Sequence, residues 1–240
     1  MIEIKKVSKI YGKDFYAVKD LSLEIKNGEI FGFLGPNGAG KTSTMKMMTG
    51  LSSLTEGEIL IDGHDITKDT IEAKKRFGFV SDNPDILLRL KGKEYLEFIV
   101  SIYNIDHDTA VTTINQLAER FELTSALNDR ISSYSHGMRQ KLMVIGVLLH
   151  DPANWILDEP LTGLDPKSAF TLKEMMKEHA KKGNTVLFST HVLEVAEKLC
   201  DRIGIISHGR LLFVGTIDEL RALTKKDQSL EELFLELTNK

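Results

Sequence analysis

The chain has 240 residues, of which 42% are apolar and 28% charged, and its formal net charge is −4. This length and composition indicate one large globular domain or two small ones, and the slightly acidic balance gives no support to a nucleic-acid partner. The single cysteine, Cys200, excludes an internal disulfide. No apolar run is long enough to cross a bilayer and the first residues lack a signal-peptide core, so we expect any role at a membrane to depend on a partner.

The first 34 residues predict β structure. Ile2, Ile4 and Val7 precede a turn at Tyr11-Gly12. The run from Leu21 to Ile25 alternates apolar and polar residues before Asn27-Gly28, a pair typical of hairpins. Further strands are predicted at 57–63 and at 76–80, the second ending at Ser81-Asp82.

A phosphate-binding pattern, G-x-x-x-x-G-K-[ST], covers Gly35 to Ser43. The apolar run before it predicts a buried strand, and the residues after it predict a helix, which is the structural setting this pattern requires. Glycine lets the backbone approach an anion closely, so N–H groups of the loop can bind phosphate oxygens. Lys41 adds a positive charge for the terminal phosphates, and the Thr42 hydroxyl can ligate Mg²⁺. The candidate nucleotide-binding residues of the loop are Gly35, Asn37, Gly38, Ala39, Gly40, Lys41, Thr42 and Ser43.

Tyr11 stands upstream of this loop, on the first turn. Its ring could stack on a nucleotide base, or it could be an ordinary half-buried tyrosine. Position alone leaves both interpretations open.

Helical periodicity dominates from about residue 85 to 150. Apolar stripes occur at spacings of three and four, for example Tyr95, Leu96, Ile99 and later Ile114, Leu117, Phe121. The pattern predicts a helical lobe inserted between segments of a sheet. Its entry, 85–90, is unusually apolar for a connection and is either a docking surface or a core-facing loop.

Ser135 and Gly137 follow this lobe's last loop, directly before an apolar helix. Their hydroxyl and free N–H could bind an anion at the helix start, although Ser135 could equally be a plain N-cap. Asp158 and Glu159 end a short apolar strand, where adjacent side chains face opposite ways and therefore serve different purposes. Beside a phosphate loop, the first carboxylate would hold Mg²⁺ and the second would orient and deprotonate an attacking water.

The remaining elements continue the α/β alternation. Leu164-Asp165-Pro166 predicts a tight turn into a helix, and 185–190 predicts a strand rich in β-branched residues that ends at His191. His191 could donate a hydrogen bond to a γ-phosphate, or it could be an ordinary surface or capping histidine. A hairpin around His208-Gly209 and a capping box at Ser229 and Glu232 predict a C-terminal β-hairpin plus helix over about 202–240.

Taken in this order, the motifs at Tyr11, the phosphate loop, Ser135-His136-Gly137, Asp158-Glu159, Asp165 and His191 resemble the nucleotide-binding domain of ATP-binding cassette (ABC) transporters. The resemblance spans nearly the whole chain. It implies an α/β fold: a P-loop NTPase core with an N-terminal antiparallel β lobe and a helical lobe, all within one ABC ATPase domain over 1–240. It also implies ATP and Mg²⁺ as cofactors and a pair of subunits, identical or paralogous, that enclose two ATP molecules.

The resemblance further implies a role for each matching residue. Tyr11 would stack on adenine, Lys41 bind the terminal phosphates, Asp158 support the metal, and Glu159 act as catalytic base. Thr42 would bind the metal, and His191 would contact the γ-phosphate. Asp165 would communicate between the two subunits, and Ser135 and Gly137 would contact the ATP phosphate bound by the partner subunit. A peripheral position on the cytoplasmic face of the membrane, bound to transmembrane permease subunits, is implied as well.

Three departures from the family pattern stand out. Asp82 occupies the usual glutamine position and can still reach Mg²⁺ or water. The usual Leu-Ser-Gly-Gly-Gln is Tyr134 to Met138 here, with Ser135 and Gly137 retained. The Met-Arg-Gln continuation resembles the exporter branch more than the importers. An importer subunit and a soluble ABC ATPase of translation or DNA repair remain the alternatives.

Overall fold

The computed structural model describes residues 1–85, 87–224 and 228–238. Within these ranges the strands are β1 (Ile2–Tyr11), β2 (Phe15–Ile25), β3 (Ile30–Leu34), β4 (Glu56–Ile61), β5 (His64–Asp65), β6 (Phe77–Val80), β7 (Asn154–Leu157), β8 (Thr185–Thr190), β9 (Arg202–Ser207) and β10 (Arg210–Gly215). The helices are α1 (Lys41–Met48), α2 (Thr70–Lys75), α3 (Gly92–Tyr103), α4 (His107–Arg120), α5 (His136–Leu148), α6 (Pro166–Lys181), α7 (Leu193–Leu199), α8 (Ile217–Arg221) and α9 (Leu230–Thr238). Short 3₁₀ turns occupy Thr124–Ala126 and Ile131–Ser133.

The N-terminal lobe is an antiparallel sheet with strand order β2-β1-β4-β5. The hairpin predicted at Asn27-Gly28 is wrong, because that turn leads from β2 of this sheet into β3 of the other one. Every residue of β3 is buried, and β3 pairs in parallel with β8 and β9 instead of folding back on β2. The local turn signal was overridden by tertiary pairing of a strand that is covered on both faces.

The central sheet has strand order β10-β9-β3-β8-β7-β6, and all of its strands except β10 run parallel. Alternate residues of one strand pack on opposite sides: Trp155 and Leu157 join the core with the helical lobe, whereas Ile156 joins the core with the antiparallel sheet. Near-continuous apolar runs therefore suit β7 and β8, since both faces are covered. This architecture confirms the predicted α/β fold with its antiparallel and helical lobes.

Four predicted functional segments follow the carboxyl ends of parallel strands. The phosphate loop follows β3, Asp82 follows β6, Asp158 follows β7 and His191 follows β8. Parallel strands end at the same edge of a sheet, and ligands of open α/β sheets bind at this edge. The fold thus brings together residues that are up to about 150 positions apart in the chain.

The helices of the 92–148 region share one apolar cluster with the central sheet. Tyr95 and Leu96 of the predicted α3 stripe are buried, but Phe98 and Ile102 are 48% and 57% exposed, so only part of the apolar surface of α3 faces the core. The division into an ATPase core and a helical subdomain at about 85–150 stays a prediction. So does the single domain over 1–240, and Ile86 of the apolar entry lies outside the described residues.

The predicted C-terminal hairpin and capping box are present, and a short additional helix, α8, lies between them; the assignment of about 202–240 as one unit stays a prediction. His208 and Gly209 join β9 to β10, and Ser229 with Glu232 makes the two reciprocal hydrogen bonds of a capping box before α9. Leu233 and Phe234 of α9 pack against Leu34 and neighbouring buried residues. Across the described part of the chain, every helix is too short or too polar to span a bilayer.

Candidate active site

A cavity of about 520 Å³ opens at the carboxyl edge of the central sheet. It lies between the first hairpin, the phosphate loop and the end of β7. Nine of the predicted site residues line it, namely Tyr11, Asn37, Gly38, Gly40, Lys41, Thr42, Ser43, Asp82 and Glu159. The structure therefore brings Tyr11, the phosphate loop and the carboxylates of Asp82 and Glu159 around one space.

The phosphate loop has a conformation that requires glycine. Gly38 and Gly40 have φ values of 80° and 110°, and a Cβ added at Gly40 would come within 2.6 Å of the Ala17 carbonyl oxygen. The loop ends at Lys41, the first residue of α1. Loop N–H groups beside a helix N-terminus form an anion-binding site, because the partial positive charge of the helix adds to the donors.

Lys41 is buried, and its ammonium group turns back onto the loop. It donates to the carbonyl oxygens of Gly35 at 2.7 Å and Pro36 at 3.2 Å, and lies 3.6 Å from a carboxylate oxygen of Glu159. Burial lowers the pKa of Lys41, and the negative charges of Glu159 and Asp158 partly oppose that shift. A phosphate group entering the cavity would offer this cation better-paired acceptors than backbone carbonyls.

Asp158 lies beneath the cavity and has no exposed surface. Its Oδ1 accepts a hydrogen bond of 2.5 Å from the Ser189 hydroxyl, whereas its buried Oδ2 has no hydrogen-bond partner. Burial raises the pKa of Asp158; the Ser189 hydrogen bond and the nearby Thr42 hydroxyl act against the rise, and the charges of Asp82 and Glu159 add to it. An orphaned buried carboxylate oxygen is costly unless a further donor or cation completes the site.

These donors fit Mg²⁺. The Thr42 hydroxyl and Asp82 line one end of the cavity, and the buried Asp158 carboxylate lies next to them. All three offer hard oxygen atoms, and Mg²⁺ is held by one or two carboxylates together with substrate phosphates. Among the described residues no cluster of three or more His, Cys, Asp or Glu side chains could hold a metal by itself. The donor set therefore suits a metal that arrives with its nucleotide.

Glu159 begins a sharp turn after β7. Its φ of 47° lies in the left-handed region that residues other than glycine rarely adopt, and such strain concentrates at functional sites. The Ser189 hydroxyl accepts a 2.9 Å hydrogen bond from the Glu159 N–H, and His191 Nδ1 lies 3.1 Å from the Glu159 carboxylate. The carboxylate is thus held between Lys41 and His191, at the wall of the cavity.

The family model for ABC transporters matches residues 18–162. The chain belongs to the ABC transporter family. A relative in Bacillus subtilis (strain 168), the linearmycin resistance ATP-binding protein LnrL, is 37% identical over 220 residues, which are 92% of this chain and 70% of LnrL. The chain is an ATP-binding ABC ATPase.

Solved structures agree with this assignment. The ATP-binding subunit of an ABC transporter superposes with a TM-score of 0.91 at 32% identity, covering 98% of both chains. The dimeric ATP-binding cassette MJ0796, in a post-hydrolysis state with ADP and Pi, superposes with a TM-score of 0.82 at 26% identity, covering 90% of this chain and 99% of that one. This ABC ATPase thus has the fold of a cassette that was captured as a dimer after hydrolysis.

Ser135 and Gly137 do not line the cavity of their own ABC subunit. Ser135 caps α5 by accepting a hydrogen bond from the Met138 N–H, as the plain N-cap interpretation expected. A Cβ on Gly137 would lie 2.5 Å from the Gly163 carbonyl oxygen, so glycine is required where the turn after β7 packs against α5. The predicted role of Ser135 and Gly137 at a partner's phosphate stays a prediction, since both residues lie outside the cavity of their own subunit.

Asp165 also lies outside the cavity and is bound within its own subunit. Its carboxylate caps α6 through Ser168 and contacts the Lys141 ammonium on α5 at 2.7 Å. The hydrogen bond from Lys141 is the main cause that holds the pKa of Asp165 well below its usual range. The turn with Asp165 and the residues Tyr134 to Met138, called the Ser135 segment below, are therefore connected through α5.

Ser189, Phe15 and Tyr16 belong to the site but were not predicted from the sequence. Ser189 bridges Asp158 and Glu159, and its only sequence signal is a hydroxyl inside the apolar run of β8. Phe15 and Tyr16 line the cavity beside Tyr11, which is 44% exposed and carries the Lys9 ammonium 4.9 Å from its ring centre. Their signal was a cluster of aromatic residues around the first turn.

Proposed function

We propose that this ABC ATPase drives export through a separate membrane permease on the cytoplasmic face of the membrane. It would do so as an ATP-dependent pair, formed with a second copy or a paralogous subunit. One observation supports the pairing above all. Each chain carries a phosphate loop in a cavity and a Ser135 segment outside that cavity, so a complete site needs a segment from a neighbour.

The chemistry follows from the residues around the cavity. Lys41 leaves its loop carbonyls to neutralise the terminal phosphates, and the loop N–H groups hold them in place. Glu159 accepts the proton of the attacking water, while His191 orients the Glu159 carboxylate and donates to the γ-phosphate. Tyr11 stacks on the base, and the partner's Ser135 and Gly137 segment closes over the γ-phosphate.

The metal would be held by Asp158, Thr42 and Asp82. When bound, Mg²⁺ supplies charge neutralisation of the phosphate oxygens during phosphoryl transfer. Ser189 fixes Asp158 through one oxygen and leaves the other, Oδ2, available as a donor atom. Asp82 adds a negative charge where the family has a neutral amide, which strengthens the demand for a cation at this end of the cavity.

Binding energy would close the pair and hydrolysis would reopen it. ATP contacts both subunits only in the closed state, so it stabilises closure by its differential affinity for that state. Asp165, tied to Lys141 of α5, belongs to the turn that follows Glu159 and would communicate the state of one site to the other. Cleavage of the γ-phosphate removes the group that both subunits bind.

A groove between the central sheet and α3 is the surface we propose for the permease. It is lined by Leu51, Phe79, Tyr95, Ile99 and Tyr103 among others, and its volume is about 290 Å³. Leu51 at this groove is 65% exposed, and Phe98 and Ile102 on α3 add further exposed apolar area. Exposed apolar area of this kind marks a protein-interaction site.

The groove is connected to the nucleotide cavity through the segment after β6. Asp82 lines the cavity, and Asp85 three residues later forms an ion pair with Arg139 at the start of α5. A movement of α5 on closure would therefore pull on the segment that includes the apolar entry 85–90. Within this entry, Leu88 and Leu90 pack against the core, as the core-facing interpretation expected, whereas Leu87 is 48% exposed and is the side chain that we propose for docking.

Export is proposed from two independent indications. The Met-Arg-Gln sequence after Gly137 resembles exporter subunits, and the relative LnrL is described as a resistance protein. A soluble remodelling ATPase is the rival. In cell fractionation we expect this chain in the membrane fraction with a copurifying permease, whereas purification with ribosomes or DNA would contradict the proposal.

A crosslinking experiment tests the docking surface. In a Cys200→Ala background, single cysteines at Leu51 and Leu87 should crosslink to the permease, while one at Leu223, which is 56% exposed beyond α8, should not. Crosslinks from Leu223 alone would show that the permease binds elsewhere.

A further inference from the structure

The turn between β9 and β10 contributes to the nucleotide cavity, although no motif predicts it. The turn consists of His208 and Gly209, and His208 lines the same space as Tyr11, Lys41 and Glu159. These two residues form the whole connection between the paired strands, with φ values of 47° and 73°. Positive φ at both central residues is the requirement of a type I′ hairpin turn.

Histidine is not the residue that such a turn favours at its first position. Asparagine, aspartate and glycine accept the left-handed conformation at least cost, and they dominate type I′ turns. Among the described residues, the His208 imidazole has neither a hydrogen-bond nor an ion-pair partner within the chain. His208 is exposed and lies at the wall of the nucleotide cavity, so its imidazole is free to bind a ligand there.

Hydrogen bonds fix the turn to both sides of the cavity. The Gly209 N–H donates to the Ala39 carbonyl of the phosphate loop at 2.9 Å, and the Gly209 carbonyl accepts from the Lys19 N–H of β2 at 2.8 Å. A Cβ on Gly209 would lie 2.8 Å from the Ala17 carbonyl oxygen, so the two backbones are in close contact. His208 is thereby held between β2, which continues from the Tyr11 hairpin, and the phosphate loop.

We propose that His208 is an additional nucleotide-binding residue, whose imidazole N–H binds the ribose and α-phosphate region of ATP. The position follows from its anchors: Ala17 is in the strand that continues from the Tyr11 hairpin, and Ala39 is in the loop before Lys41. A nucleotide with its base at Tyr11 and its terminal phosphates at Lys41 passes this turn with its sugar and first phosphate. The inference rests on the proposed binding mode at Tyr11 and Lys41.

The experiment compares turn-compatible substitutions. His208→Asn and His208→Gly suit a type I′ turn, so the thermal midpoint without nucleotide should stay constant or rise. Affinity for Mg²⁺-bound ATP, ADP and AMP should each fall by about 3- to 10-fold, as expected for one lost hydrogen bond. AMP is the decisive probe, because it retains the ribose and α-phosphate but lacks the phosphates that Lys41 would bind.

Calorimetric titration of wild type and variants gives the answer. His107→Asn, an exposed histidine at the start of α4 and outside the cavity, is the matched control and should leave all three affinities unchanged. Unchanged AMP and ATP affinity in both His208 variants would overturn the inference while leaving the proposed function intact. Absence of ATP binding by the wild-type protein would instead overturn the proposed function.

Discussion

The phosphate-loop cavity and the Ser135 segment differ in how complete each is within one subunit. Lys41, Asp158 and Glu159 are held by named partners around an enclosed space, with one orphaned carboxylate oxygen awaiting a donor or cation. Ser135 and Gly137 are positioned at the start of α5, and neither of them lines that cavity. In our proposal these are two half-sites at different places on the subunit, each of which a second subunit completes.

The comparison shows which interactions belong to folding and which await the partner. In the cavity, the Lys41 ammonium donates hydrogen bonds to two backbone carbonyls, which a bound phosphate would replace. The Ser135 hydroxyl caps α5, so its fold-stabilising role and the ligand-binding role that we propose involve the same group. Variants that separate the two half-sites therefore test the account, beginning with the largest expected effect.

Glu159→Gln should lower ATP turnover by about 100- to 1000-fold, because the amide cannot accept the proton of the attacking water. ATP binding should persist, so the variant should accumulate as an ATP-bound dimer in size-exclusion chromatography. Glu178→Gln on the exposed side of α6 is the control and should behave as wild type. Full turnover by Glu159→Gln would remove Glu159 from its role as base.

Lys41→Ala should weaken ATP binding by about 10- to 100-fold, the loss expected when a charged partner of phosphate is removed. AMP, which lacks the terminal phosphates, should bind almost as well as before. Fluorescence titration with both nucleotides checks this, with Lys46→Ala on the same helix as control. Equal losses for ATP and AMP would place Lys41 elsewhere on the nucleotide.

Ser135→Asp should lower turnover by about 10-fold without weakening ATP binding to the isolated subunit. Aspartate caps a helix as well as serine does, so α5 is preserved, but its charge repels a partner's γ-phosphate. Ser135→Asn keeps the cap without the charge and should lose much less activity. If Ser135→Asp impaired nucleotide binding to the monomer, the segment would act within its own chain.

Asp158→Asn should stabilise the nucleotide-free protein by about 1 to 2 kcal/mol, raising its thermal midpoint by about 2 to 8 °C. The pKa of Asp158 is raised, so the folded state holds this proton more tightly than the unfolded state does. The cost of the charged form therefore appears as pH rises above the unfolded value near 3.8 and disappears in acid. Thermal unfolding at neutral and acidic pH should show the variant's advantage only at neutral pH; a lower midpoint at neutral pH would contradict it.

The sequence predicted most of the fold and the core of the site because their signals are local. The phosphate loop, the acidic pair after β7 and the N-cap at Ser135 each combine a turn chemistry with a neighbouring apolar run. The misplaced hairpin at Asn27-Gly28 shows the limit, since only tertiary pairing assigns β3 to the other sheet. Ser189 and the turn at His208 were missed for the same reason. Ser189 bonds Asp158 about 30 positions away, and Gly209, next to His208, bonds Ala39 about 170 positions away, so no local pattern links these partners.

The proposed arrangement of each site across two subunits is tested most directly by mixing two impaired variants. Lys41→Ala damages only the phosphate loop and Ser135→Asp only the opposing segment, so each variant alone has a lesion in every shared site. In a mixed pair, one site receives both lesions and the other receives none. The account predicts that ATP turnover rises above the sum of the separate variants on mixing; turnover that stays at that sum would show that Ser135 serves the phosphate loop of its own chain.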